Sequence, residues 1–591
     1  MGEALIRRGE RGTVAPDATN ISVREVLAKF DTDFAPIAQA AENGEFALWV
    51  GSGISSQAPD LGDLIERGFE FLRQKAIDPP TQAAFTPPLD EAIKLAGLDP
   101  AKLRPQYTAP FPSWAEKDQI VTALWNQYSD LLDIRIVGER GDYVLWEAID
   151  IRTAFAHPRP PAATHLCIAI LMMEGAVKTV ASGNWDGFIE DAVARLSNGG
   201  PGILQVIVDP DHLREAPAQA KLLKFHGCVV YATKEPATFR KYLTGSHTQI
   251  TEWPDRPEFA PMVNAMINVA TNQKTMVLGL SIQDFNLQTI FSKAKQVHAW
   301  PWPCTPHAPG HVFCGDQITK GQSNVLKIVY GDSYDADAVA IQSAAHLRAW
   351  AEQVLIALVL KLLTDKLVLL MNGVLVLSGL GSLLPALQTS LLALRDFVAD
   401  LAVPDRTSFV NAAISFWSRM LSIFRSGALP ANPQAYEVLS TYVPAALQGD
   451  ANAISAGLGR LGLVLALLQN GKADGTWDFN LPVDKNVTFG VFTARANRID
   501  ATDRPLFVVK SATEAIELQK VGAFANGNAV VIHGDETWQA LIGKRKSARK
   551  PTSAPGRKGR VETTHISLGA ILSRVPDALA LQQQFTAEMM L

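Results

Sequence analysis

Ten residues, FALWVGSGIS at positions 46–55, restrict this chain more than any others. Phe46–Val50 is an apolar run of strand length, and Gly51 and Gly53 follow at once. An apolar pattern at helical spacing then runs from Leu61 to about Leu72. Strand, glycine turn and helix in that order open a dinucleotide-binding unit, which commits the surrounding chain to a parallel sheet. Glycines let a backbone approach a pyrophosphate, and the start of the next helix offers unpaired N–H groups at its positive end. The plain alternative is a tight turn with no ligand.

The same rhythm continues. Ser22 and Glu25 form a capping-box pattern ahead of apolar residues at helical spacing through Ile37, and Asn43-Gly44 stops that helix. Strand-like runs recur at Val177–Ser182, Ile203–Val208, Leu222–Phe225, Thr275–Leu280, Val312–Cys314 and Val325–Tyr330. Helical patterns lie between them, at Trp185–Leu196 and from Asp284 onward. Alternating strands and helices predict an α/β fold, a Rossmann-like doubly wound parallel sheet, over residues 1–340. Residues 78–160 are rich in proline and irregular in pattern, with a helix expected near Trp114–Leu132, and read as an insertion over the pocket. A helical region is expected over 341–475 and a small α/β unit over 476–591, with a strand at Ala529–Gly534 and Ser511–Glu514 capping a helix. At 591 residues the chain is too long for a single core.

Composition excludes several classes of function. The net charge of −5 argues against a protein that coats nucleic acid. Of the four cysteines, Cys167, Cys228, Cys304 and Cys314, no two are spaced as CxxC, so neither a disulfide framework nor a structural zinc site is expected. A reducing cytoplasm fits that usage, and the polar N-terminus has no apolar core of a signal peptide. Residues 367–394 carry no charge over 28 positions, long enough to span a bilayer. Asn372, Pro385, Gln388 and inner glycines interrupt the run, so buried helices are expected rather than a membrane span. Lys544–Arg560 holds eight basic residues and no acidic one; it reads as a solvated loop, or as a contact for phosphates or an acidic partner.

Four segments carry candidate chemistry. Gly51, Ser52, Gly53 and Ser55 form the first. In the second, Asn184 and Asp186 follow a strand end; an amide can hold a ribose hydroxyl or a water, while both residue types also make good helix N-caps. The third is His226 in KFHG, able to act as a base near neutral pH or simply to sit satisfied in the fold. The fourth is Gly279 and Ser281 with Asp284.

In this order, GSGIS, ASGNWD, KFHG and GLSIQD resemble the motifs of the sirtuin family over residues 22–335. The resemblance implies an NAD-binding domain in which Asn184 positions the ribose and His226 is catalytic. It makes Gly51, Ser52, Gly53, Ser55, Asp186, Gly279, Ser281 and Asp284 the candidate cofactor contacts. Two departures stand out: the zinc module of the deacetylating members has no counterpart, and Ser56-Gln57-Ala58-Pro59-Asp60 replaces the family's I-P-D-F-R-like stretch. Zinc-free members with added C-terminal modules resemble bacterial antiviral effectors that hydrolyse NAD. That implies NAD as substrate, no metal, and a regulated enzyme that forms a homo-oligomer or works with a sensing partner. Such partners include a HerA-type ATPase, a short Argonaute or a nucleotide-binding subunit. A zinc-less deacylase or ADP-ribosyltransferase, or a non-catalytic NAD or ADP-ribose sensor, would use the same residues.

Overall fold

A computed structural model describes residues 17–125, 127–155, 159–297, 310–403, 405–480, 492–498, 501–525, 527–538, 541 and 563–589. The basic segment 544–560, Cys304 and residues 481–491 lie outside them.

Seven strands form an all-parallel sheet: β1 (Phe46–Val50), β2 (Thr179–Ser182), β3 (Leu204–Ile207), β4 (Ala220–Lys224), β5 (Lys274–Leu278), β6 (His311–Cys314) and β7 (His346–Leu347). Their spatial order is β3-β4-β2-β1-β5-β6-β7, a Rossmann-like α/β arrangement. The chain leaves β1 toward β2 on one side and returns to place β5 on the other. This reversal is the switch point where open α/β sheets bind ligands.

Side chains alternate across the strands, so each residue of β1 belongs to one of two cores. Phe46, Leu48 and Val50 face a core shared with the helices Ala163–Met173 and Ala351–Leu377. Ala47 and Trp49 face another, built with the helices Leu61–Ile77 and Phe285–Val297 and with the 78–160 segment. Much of that segment is helical, including Gln82–Leu95, Lys117–Trp125 and Tyr128–Leu132.

Two further expectations for residues before 340 fail. The run Val325–Tyr330 is the second half of a helix, Lys320–Tyr330, and not a strand. Thr319 caps it reciprocally with Gln322, and Val325, Leu326 and Val329 bury one helical stripe, a spacing that an apolar run of six conceals. The N-terminal helix is two, Val23–Asp31 and Ala35–Asn43, because Pro36 is tolerated in a first turn and not in a helix interior.

The 28-residue uncharged stretch divides between the helices Ala351–Leu377 and Leu384–Asp400, broken at Ser378–Leu383. Leu367, Leu370, Met371, Leu387 and Leu391 are buried, while Val376 and Leu377 remain exposed. Among the described residues no helix is long and apolar enough to cross a membrane.

The helix Leu458–Ala473 packs on both of these and is buried almost all round. A second sheet follows, ordered β12-β11-β10-β9-β8: β8 (Trp477–Asn480), β9 (Phe492–Ala496), β10 (Arg504–Val509), β11 (Val530–His533) and β12 (Thr564–Ser567). β10, β11 and β12 run parallel, whereas β8 and β9 pair antiparallel. Its apolar face joins the same core as Phe46, Leu48 and Val50. Residues 427–450, expected to be helical, instead form an irregular strap that ends in the short 3-10 helix Pro444–Gly449. The buried Glu174 holds that strap through Tyr436 Oη and the Leu439 N–H, and pairs with the buried Lys366.

Candidate active site

Register sets the site. Lys224, Ser182, Val50, Leu278 and Cys314 are successive Cα partners across five strands, so these strands end level with one another. The residues that follow line a single edge at the switch point: His226, Gly183-Asn184, Gly51 and Gly279. The structure therefore gathers the four sequence motifs.

The glycines answer first to the fold. The Gly53 N–H donates to Gly279 O at 3.1 Å, and a Cβ on Gly53 would lie 2.7 Å from Gly279 Cα. Gly279 itself has φ +61°. The two loops touch backbone to backbone, a contact only glycine permits. Ser52 lies in the short turn that follows Gly51 and is exposed.

Asn184 is buried, and its Nδ2 donates to Gly51 O and to Ser55 Oγ, each at 3.1 Å. Its Oδ1 takes no hydrogen bond among the described residues. A residue that sequence reasoning missed completes this cluster. His165, fully buried, lies 3.1 Å from Ser55 Oγ through Nε2, while its Nδ1 accepts the Ala162 N–H. Burial pushes His165 down to about 4, so the ring is neutral near pH 7. With Nδ1 accepting, the proton sits on Nε2 and is donated to Ser55. The Ser55 oxygen thus receives two donors, and its own proton is left to give. Next to it, Thr164 Oγ1 donates to Ile54 O at 2.8 Å, so the start of the helix Ala163–Met173 clamps the glycine turn. The available signal was a lone titratable residue in the apolar run ATHLCIAILMM, which must find a partner when buried.

Asp186 is also buried; its Oδ1 accepts the Phe188 N–H at 3.2 Å and its carbonyl accepts Lys224 Nζ. It stands on the wall of a cavity of about 450 Å3 that Pro59, Asp63, Phe155, Phe188 and Val230 also line. Neither Asn184 nor His226 lines that cavity.

On the other flank His226 Nε2 lies 3.3 Å from Asp284 Oδ2. The rings of Phe225 and Trp253 meet the imidazole edge to face. Asp284 Oδ1 accepts the Asn286 N–H at 2.8 Å. Tyr128, from the 78–160 segment, reaches this corner, where burial and then the Asp284 charge hold its phenol protonated. Ser281 contributes its carbonyl, which accepts Thr319 Oγ1 at 2.6 Å.

Cys228 and Cys314 are buried thiols, and burial raises both. Among the described residues no group of three or more His, Cys, Asp or Glu gathers as a metal site. The chain matches no protein-family model, and no curated protein matches it.

Proposed function

We propose that this chain hydrolyses NAD to nicotinamide and ADP-ribose, as a regulated effector of antiviral defence. One observation carries the reading: Asn184, Ser55 and His226 meet the glycine turns along one level edge at the sheet's switch point. The order of the four motifs, which resembles that of zinc-free sirtuins, supports it.

The chemistry asks little of the protein. Nicotinamide leaves as a neutral ring when the C1′–N bond breaks and its electron pair returns to the pyridinium nitrogen. Water forms the new bond to C1′, and its proton goes to a base. The enzyme has to hold the ribose, stabilise an oxocarbenium-like transition state and keep that base close. Asn184 Oδ1 and the Ser55 hydroxyl proton supply an acceptor and a donor for ribose or water, and His226 is the base. Control falls to the regions after residue 340, through self-assembly or a sensing partner. The exposed Val376 and Leu377 at the end of the helix Ala351–Leu377 favour an assembled form.

The test is nicotinamide release from NAD, with and without an acyl-lysine peptide, by the purified chain and by the complex it forms in cells. His226→Ala is expected to cut turnover by about 10²–10⁴-fold with little change in melting temperature. Asn184→Ala should cut it as deeply. It should also cost about 1–2 kcal/mol of stability, because two buried hydrogen bonds go with it. Turnover that needs the peptide would favour a deacylase. Tight NAD binding without any release would favour a sensor. Full turnover in both well-folded variants would end the assignment.

A further inference from the structure

We infer that Asp284 is not a cofactor contact but the positioning residue of His226, fixing the imidazole as a base whose free nitrogen faces Asn184. The inference rests on the NAD-hydrolysing reading and assigns the proton within it.

The geometry leaves one tautomer. A carboxylate can only accept, so Asp284 Oδ2 accepts a hydrogen bond from His226 Nε2–H, and Nδ1 keeps its lone pair. Nδ1 makes no hydrogen bond among the described residues and looks toward Gly183. A Cβ there would lie 3.7 Å from it, beside Asn184. Nδ1 is therefore the nitrogen that receives the proton of the attacking water. The imidazolium so formed is stabilised by Asp284, which does not itself take the proton. The groups facing this pair are the Tyr128 phenol on the Asp284 side and the uncharged rings of Phe225 and Trp253 on His226.

The fold spends strain to put Asp284 there. Ile282, two residues before it and buried, has φ +52°, which a β-branched side chain adopts only under constraint. The constraint comes from side chains that grip three successive carbonyls. Gln322 Nε2 donates to Leu280 O at 2.8 Å, Thr319 Oγ1 to Ser281 O at 2.6 Å, and Gln288 Nε2 to Ile282 O at 3.0 Å. A simple helix cap would need none of this. Strained backbone held by its surroundings gathers at functional sites.

Asp284→Asn separates the alternatives. Asp284 Oδ1 already caps Asn286, so in the variant the amide oxygen keeps the cap and its NH2 turns to His226. That donor forces the ring proton onto Nδ1, the wrong tautomer for a base. Nitrogen-resolved NMR of the imidazole should find Nε2–H in the unaltered protein and Nδ1–H in the variant. Turnover should fall by about 10² or more, with KM for NAD little changed, since a positioned base is worth that much. An Nδ1–H tautomer in the unaltered protein would overturn the inference even if the variant fails to fold. A raised KM at unchanged kcat would do so too, because Asp284 would then hold the ribose. Absence of nicotinamide release from the unaltered protein would count against the NAD reading instead, and the imidazole signals would still decide the pair.

Discussion

Ser55 has both oxygen lone pairs engaged, by Asn184 Nδ2 and His165 Nε2, and that limits what it can do. A hydroxyl in this state donates; it is not a nucleophile awaiting a base, because its histidine partner holds the proton on the nitrogen that faces it. Two histidines thus flank the same strand edge with different partners, His165 donating to Ser55 and His226 to Asp284. The sequence made the four motifs legible, since each lies at a strand end and contains glycine. It could not pair Asp284 with His226, 58 positions apart and joined only through the strand order. The grip on that pair is testable from outside the site. A methyl group on Gly321 would overlap the Ile282 carbonyl. Gly321→Ala should therefore push the 280–284 loop outward and lower kcat at least tenfold. It should also destabilise the protein by about 1–3 kcal/mol, the usual result of overpacking. Unchanged kinetics in a thermally normal variant would show that the loop does not govern the chemistry.

Elements were read best where local rules and tertiary packing agree. β1 has the predicted bounds, and the capping boxes at Ser22–Glu25 and Ser511–Glu514 both form. The reading failed at Val325–Tyr330, where apolar content outweighed a cap six residues upstream. It also failed at 427–450, whose path depends on one buried carboxylate far away in the chain. That carboxylate gives the prediction at this scale. Lys366 donates to Glu174 Oε2 at 2.6 Å and to Ser440 O at 2.7 Å, and burial lowers its pKa despite the pairing. Lys366→Met should destabilise by about 3–5 kcal/mol, because a buried charge loses its partner. Adding Glu174→Gln should recover part of that loss. Denaturant melts of the single and double variants measure it, and strict additivity would mean the two groups are not coupled.

At the scale of the whole molecule, the two sheets and the helices between them share one core, which a sequence divided into segments did not reveal. Histidines are trapped in this interior. Burial pushes His165 down to about 4, and burial with the neighbouring His565 does the same to His533. His311 is lowered well below the usual range. The unfolded chain protonates His165 and His533 near pH 6.5 whereas the folded one refuses the proton until about 4, so stability is full above 6.5 and is lost as pH falls. Each such ring should cost about 2 kcal/mol by about pH 5. Melting curves that superimpose between about pH 7 and pH 5 would contradict this burial.

The shared core also has a consequence in time. The helix Ala163–Met173, whose first turn clamps the glycine loop, has every residue buried, and its outer neighbours come from 351–377 and 406–426. A ribosome adding about 5–20 residues per second needs roughly 10 to 50 s to deliver the rest of the chain after β7. Through that interval the helix Ala163–Met173 lacks its neighbours from 351–377 and 406–426. The helix that clamps the glycine loop is therefore fully packed only after residue 426 has been made.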